Sequence, residues 1–151
     1  MGCPASRRKR EQVIEPSAAA KLPRASKHPV RNRVRAKDVK LKRAYELASR
    51  ADGLRILVDR LWPRGVRKAD AAIDRWAKTL APSAELRQWF GHDSARWQEF
   101  CHRYAKELRA CPEELEQLRA LARQGPITLV FSARDEVHNN AVVLRDLLLS
   151  R

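Results

Sequence analysis

From Asp38 onward the hydrophobic positions recur with two different periods. Val39-Lys40-Leu41-Lys42-Arg43-Ala44-Tyr45 alternates, with Val39, Leu41 and Tyr45 on one face, which predicts a half-buried strand. Ala51-Asp52-Gly53 turns the chain, and Leu54-Arg55-Ile56-Leu57-Val58-Asp59 is a short, nearly continuous apolar run typical of a strand covered on both sides. Pro63 and Gly65 then interrupt regular structure. Ile73, Trp76, Ala77 and Leu80 are spaced i, i+3, i+4, i+7 and predict a helix ended by Ala81-Pro82. Ser83 opens a short helix through Trp89 and Phe90 that Gly91 closes. Asp93 or Ser94 caps the next, with Trp97, Phe100, Cys101, Tyr104 and Leu108 inward. Pro112 starts a further helix whose apolar face is Leu115, Leu118, Leu121 and Ala122, with Gly125-Pro126 as its stop. Ile127–Phe131 reads as a central strand, and Val137, Ala141, Leu144 and Leu148 predict a C-terminal helix with Asp135 as its N-cap. Strand, helices, strand, helix over 38–151 predicts one α/β domain, its sheet at least partly parallel and its helices packed on the sheet faces.

Residues 1–37 look different. They hold four prolines, few large apolar residues and no sustained period, and the expectation is a disordered basic arm. The net charge of +14 changes meaning once divided, because 1–37 carry 11 Lys/Arg against 2 Asp/Glu while 38–151 carry 21 against 16. The arm, and not the domain, holds the nucleic-acid-like charge. Two motifs compete with plain disorder there: Met1-Gly2-Cys3-Pro4-Ala5-Ser6 fits a myristoylation pattern, and the Arg/Ala-rich stretch resembles a transit peptide that Glu11, Glu15 and the prolines interrupt. A third reading starts translation at Val30 or Val34 and makes the arm a start-site artefact. No run approaches the roughly 18 apolar residues of a membrane span. Three scattered cysteines form neither a disulfide framework nor a zinc motif, and they point to the cytoplasm. No two histidines stand at ligand spacing, so neither a metal nor a cofactor is expected.

Candidate chemistry gathers beyond the two central strands, where open α/β sheets collect ligands. Asp59, Arg60, Trp62 and Arg64 follow the first; Ser132, Arg134, Asp135, His138, Asn139 and Asn140 follow the second. If the strands are parallel neighbours, both clusters share one rim. Arg60, Arg64 and Arg134 suit bidentate contacts to phosphate or carboxylate. The start of the last helix adds free N–H groups. His138, with Asp135, is the candidate general acid/base; Ser132, Asn139 and Asn140 are candidate ligand contacts. The plain structural reading stands beside each: Asp135 as a cap, Asn140 satisfying backbone groups, Asp59 in an ion pair with Arg60. Trp76, Trp89 and Trp97 fit helix stripes and are assigned to the core, whereas Trp62, in a Pro/Gly loop, either stacks on a ligand or edges the core. Phosphatase-type, Gly-rich and G-x-S-x-G signatures are absent.

Several runs carry a resemblance. Leu57-Val58-Asp59-Arg60-Leu61-Trp62-Pro63-Arg64-Gly65, Trp76-Ala77-Lys78 through Leu80-Ala81-Pro82-Ser83, Leu86-Arg87-Gln88-Trp89-Phe90-Gly91-His92, and Thr128–Glu136 with His138-Asn139-Asn140-Ala141 resemble the YeaO-like family of small bacterial proteins, domain of unknown function 488. The resemblance covers about 38–149 and implies a single cytoplasmic α/β domain without an assigned activity. Members of the wider family carry a cysteine-rich motif after the corresponding strand; here 132–140 has no cysteine, and a thiol mechanism does not carry over. The expected function is binding of a small phosphate- or carboxylate-bearing, nucleotide-like ligand at the rim, with or without catalysis. The rival is a nucleic-acid-binding accessory protein that uses residues 1–37.

Overall fold

The computed structural model describes residues 33–150. Strands β1 (Val39–Arg43), β2 (Leu54–Leu57), β3 (Arg75–Trp76) and β4 (Ile127–Phe131) form one sheet in the order β1-β4-β2-β3, and every neighbouring pair is parallel. Five α-helices accompany them: α1 (Lys68–Ala71), α2 (Ala84–Phe90), α3 (Trp97–Arg109), α4 (Pro112–Gln124) and α5 (Asn140–Leu149). Leu41, Leu129, Ile56 and Arg75 stand in one row across the sheet. The expected α/β class with a parallel sheet and helices on its faces is what the chain adopts.

The direction of travel decides which face each connection covers. Right-handed crossovers require the steps β1 to β2 and β2 to β3, both in one direction, to pass over one face. The step back from β3 to β4 passes over the other. That second face receives α2 to α5, and Phe100, Tyr104, Leu108, Leu118, Leu144 and Leu148 bury against Ile56, Ile127, Leu129 and Phe131. The first face is thinly covered. The hydrophobic side chains packed on Ala44, Leu57 and Val130 are Trp62 and Ile73, and buried Arg55 holds α1 by donating from Nε to the Ala71 carbonyl at 2.9 Å.

Asp52 anchors the same face. It closes a capping box with Ser49, accepts from Arg55 Nη1 at 2.7 Å, and accepts from Lys42 Nζ at 3.0 Å. Burial pushes its carboxyl up, but the bonds from Lys42, the Ser49 amide and Arg55 outweigh burial and leave it below the ordinary value.

Local signals hold for α2, where Ser83 accepts from the Leu86 amide and Gly91 adopts the left-handed conformation. They hold also for Asp93 before the turn leading into α3 and for Pro112 at the first turn of α4. Three expectations are corrected. The segment 73–80 is not a helix: β3 runs through it, followed by a tight turn over Lys78–Leu80. The outer edge of β2 needs partners for the Arg55 and Leu57 backbone groups, and Asp74 N–H and Ala77 N–H supply them at 2.8 Å each. Trp76 is accordingly not a core residue. It lies at the sheet edge, exposed, with Lys78 Nζ 4.2 Å from its ring centre. The last helix starts at Asn140 with Asn139, not Asp135, as its cap, and Val137 is exposed before it. Finally, the ordered chain reaches back past Asp38. Val34 is buried in the main core and Arg35 pairs with Asp38 at 2.9 Å, so residues 34–37 belong to the domain. The remaining arm, residues 1–32, lies outside the described residues.

Gly53 sits at the start of β2 with φ +67°, and a Cβ there would stand 2.1 Å from the Pro126 carbonyl oxygen. Gly53→Ala is therefore expected to destabilise the protein by about 2–3 kcal/mol in urea unfolding; a loss below ~0.5 kcal/mol would show that the turn adapts.

Candidate functional site

The C-terminal ends of β2 and β4 lie side by side, and the chain leaves them in opposite directions, toward α1 on one face and toward α5 on the other. This reversal opens a crevice of the kind in which α/β sheets bind ligands. A cavity of about 680 Å³ occupies it, lined by Asp59, Arg60, Trp62 and Arg64 from the β2 side and by Ser132, Arg134, Asp135, Asn139 and Asn140 from the β4 side. The size suits a small organic ligand. The two sequence clusters thus share one rim, with His138 next to the cavity rather than lining it.

Asp59 forms the floor. Its Oδ2 accepts from the Ser132 amide at 2.9 Å and from the Ser132 hydroxyl at 2.6 Å. Its Oδ1 accepts from Asn140 Nδ2 at 3.2 Å, which also donates to the Val58 carbonyl at 2.9 Å. The ion pair expected with Arg60 does not form; Arg60 Nε donates instead to the Pro82 carbonyl at 3.3 Å. Beneath the floor Tyr104 donates to the Leu80 carbonyl at 2.5 Å, and burial, followed by the nearby Asp59 carboxylate, pushes its phenol well above the ordinary value. Asn139 is buried and spends its side chain on structure: Oδ1 accepts from the Val142 amide at 3.1 Å and Nδ2 donates to the Asp135 carbonyl at 2.9 Å.

Asp135 caps a turn of its own. Its Oδ1 accepts from the Val137 and His138 amides and its Oδ2 contacts His138 Nδ1, each at 2.9 Å. The His138 amide first, then the His138 ring and the Val137 amide, hold its carboxyl down to about 2. The His138 ring stands edge-on to Trp97, 5.1 Å between centres. Trp62 edges the core, packing on the Ala44, Leu57, Val130 cluster and donating to the Val66 carbonyl at 2.7 Å, and it also lines the cavity.

The arginines differ from all of these. Arg60, Arg64 and Arg134 are joined at the cavity by Arg87 of α2, which the sequence reading missed along with His92, Tyr45 and Phe90. The available signal was the run Leu86–His92: Leu86 and Phe90 bury one helix face, leaving Arg87 beside it. Among the described residues none of the four guanidiniums is paired with a carboxylate. No group of three or more His, Cys, Asp or Glu among the described residues is arranged to hold a metal.

Two tests follow from this geometry. Asp59→Ala strands the Ser132 and Asn140 donors and is expected to cost about 2–3 kcal/mol in urea unfolding, whereas an unchanged midpoint would mean that water replaces the carboxylate. Asp135 holds its proton less tightly folded than unfolded. Its contribution to stability is present above its ordinary value of 3.8 and fades as pH falls toward about 2. The stability gap between the wild type and Asp135→Ala is therefore expected to close across that window; a gap independent of pH would remove the carboxylate from the cause.

Residues 38–151 match the model of the inactive DUF488-N3 subclade, DUF488-N3i. The chain is 42% identical over 113 residues to uncharacterized protein YeaO of Escherichia coli (strain K12), an overlap of 75% of this chain and 98% of the relative. It is also 42% identical over 118 residues to uncharacterized protein Rv3073c of Mycobacterium tuberculosis (strain ATCC 25618 / H37Rv), covering 78% of this chain and 99% of that one. No solved structure matches. With the family model and these relatives in agreement over the whole α/β domain, the chain belongs to the YeaO-like DUF488 family, in its inactive N3 subclade.

Proposed function

We propose that the domain binds a small phosphate- or carboxylate-bearing ligand in the β2/β4 crevice and does so without turning it over. The observation that carries the reading is the set of four guanidiniums, Arg60, Arg64, Arg87 and Arg134, lining one cavity with no carboxylate partner among the described residues. Four guanidiniums against the two carboxylates of Asp59 and Asp135 leave the cavity positive on balance, and an anion between them relieves that excess while accepting paired N–H bonds. Nucleotides fit this chemistry, since the Trp62 ring lines the same cavity.

The absence of turnover is argued from how the reactive-looking groups are used. The Ser132 hydroxyl and amide both donate to Asp59 Oδ2, and these bonds tie the exits of β2 and β4 together, a structural use of both residues. Asp135 and His138 are engaged with each other, and His138 stands outside the cavity lining. A subclade described as inactive agrees with this use of the residues.

The test is a thermal-shift and calorimetry series on the full chain with inorganic phosphate, sulfate, small carboxylates, nucleotides and short oligonucleotides. A ligand at 100 times its Kd adds about 2.7 kcal/mol of stability. Arg134→Ala and Arg87→Ala are expected to abolish that shift while leaving the unliganded midpoint unchanged. A shift that survives both variants, or its absence with every compound, overturns the reading. Steeply salt-dependent oligonucleotide binding that ignores both variants would favour nucleic-acid binding through the arm. Chemical conversion of a bound ligand would overturn the non-catalytic part alone.

A further inference from the structure

The large hydrophobic side chains left exposed among the described residues are Tyr45, Leu47, Leu61, Trp76 and Val137. They come from separate parts of the sequence, yet all five end or follow a strand at the cavity's edge of the sheet: Tyr45 and Leu47 after β1, Leu61 after β2, Trp76 at the end of β3, Val137 after β4. The outer helix surfaces contribute none. Exposed apolar residues scattered singly need no explanation, but here Tyr45 and Leu61 line the cavity itself and the other three follow or end strands on the same edge of the sheet, so that one edge carries the exposed apolar side chains.

We propose that this collar docks a partner protein through a segment that combines aliphatic and acidic side chains. The apolar residues would seat on Leu47, Leu61 and Val137, and a carboxylate would enter the arginine cavity. The proposal rests on the anion-binding reading for its electrostatic half and on the collar for the rest. Charge selects the occupant. Arg60, Arg64, Arg87 and Arg134 line the cavity against the two carboxylates of Asp59 and Asp135, which leaves the lining positive on balance. A second copy of this chain would bring the same arginines against them, so a self-association through this rim sets like charges face to face.

Nucleic acid satisfies the charge but not the collar. Bases stack on open aromatic faces. Here the three most exposed residues, Leu47 at 88%, Val137 at 64% and Leu61 at 63%, are aliphatic. The two aromatics already carry cations on their rings, Arg43 at 5.0 Å from the Tyr45 centre and Lys78 at 4.2 Å from that of Trp76. Aliphatic side chains around a cationic centre suit a peptide with acidic and aliphatic residues in alternation.

The experiment selects binders to the full chain from a random peptide library displayed on phage, then measures the enriched peptide by fluorescence anisotropy. The expected consensus pairs Asp or Glu with Leu, Ile or Val. Leu47→Asp and Val137→Asp, changes at exposed positions outside the cavity lining, are expected to weaken it about tenfold or more while phosphate binding persists. Leu61→Met is expected to retain it, and Arg134→Ala to lose both peptide and phosphate. A library that yields no acidic-aliphatic consensus, or a consensus peptide indifferent to Leu47 and Val137, overturns the docking surface even where phosphate still binds. Loss of phosphate binding in the unmodified protein would overturn the cavity reading instead. Preference for a single-stranded oligonucleotide over every selected peptide assigns the rim to nucleic acid and rejects a protein partner.

Discussion

The Asp59 carboxylate is the constraint on which the functional end of the molecule depends. Two parallel strands that end together leave amide and carbonyl groups pointing into the space between their exits, and those groups need partners. Asp59, the second residue past β2, takes the first amide beyond β4 and the Ser132 hydroxyl on one oxygen, and the side chain of the first α5 residue on the other. One side chain thus fixes the relative position of two strand exits and a helix start. Arg43 at the end of β1 adds to it by donating to the Ser132 and Ala133 carbonyls, holding the turn from its far side. The cavity floor is rigid because each of these bonds restrains a different element.

The same accounting separates residues that look chemical from those left free to act. Ser132, Asn139, Asn140 and the Asp135–His138 pair each attracted a functional reading because polar side chains at strand ends often touch ligands. In the folded chain their donors and acceptors meet one another. Guanidiniums behave differently: a long arginine reaches past local partners, and those of Arg64, Arg87 and Arg134 end at the cavity without a hydrogen-bond partner among the described residues. A polar cluster in sequence is therefore resolved by asking which of its members are already satisfied.

How much was legible in the sequence varies with how local the governing force is. Ser83, Gly91, Asp93 and Pro112 act within one turn of chain, and the element boundaries they mark are the observed ones. Ile127–Phe131 is apolar but for Thr128, whose buried hydroxyl donates to the Asp52 carbonyl, because both its faces are covered, and this too is visible from composition. Trp76 shows the limit. Its helical spacing with Ile73 and Leu80 was real, yet the open edge of β2 captured the segment, and no local pattern records the need of a distant strand. The start of α5 failed for a subtler reason. Asp135 and Asn139 are both good caps four residues apart, and the choice fell to the packing of Ala141 and Leu144 against the sheet. Arg87 joined the site only through the fold, because α2 reaches the rim from a different crossover.

The unequal cover of the sheet gives the crevice walls unequal stiffness. The β4 wall continues into α5, which is buried among α3, α4 and the sheet. The β2 wall runs into residues 60–74, tied down by the Trp62 indole, by Ile73 and by the grip of Arg55 on Ala71. Segments with few buried contacts exchange their amide hydrogens through small local openings, at far less free energy than global unfolding. The two walls of the crevice thus differ in what holds them: the stretch that carries Arg60 and Arg64 rests on a handful of contacts, whereas the opposite wall leads into the helix packed deepest in the core.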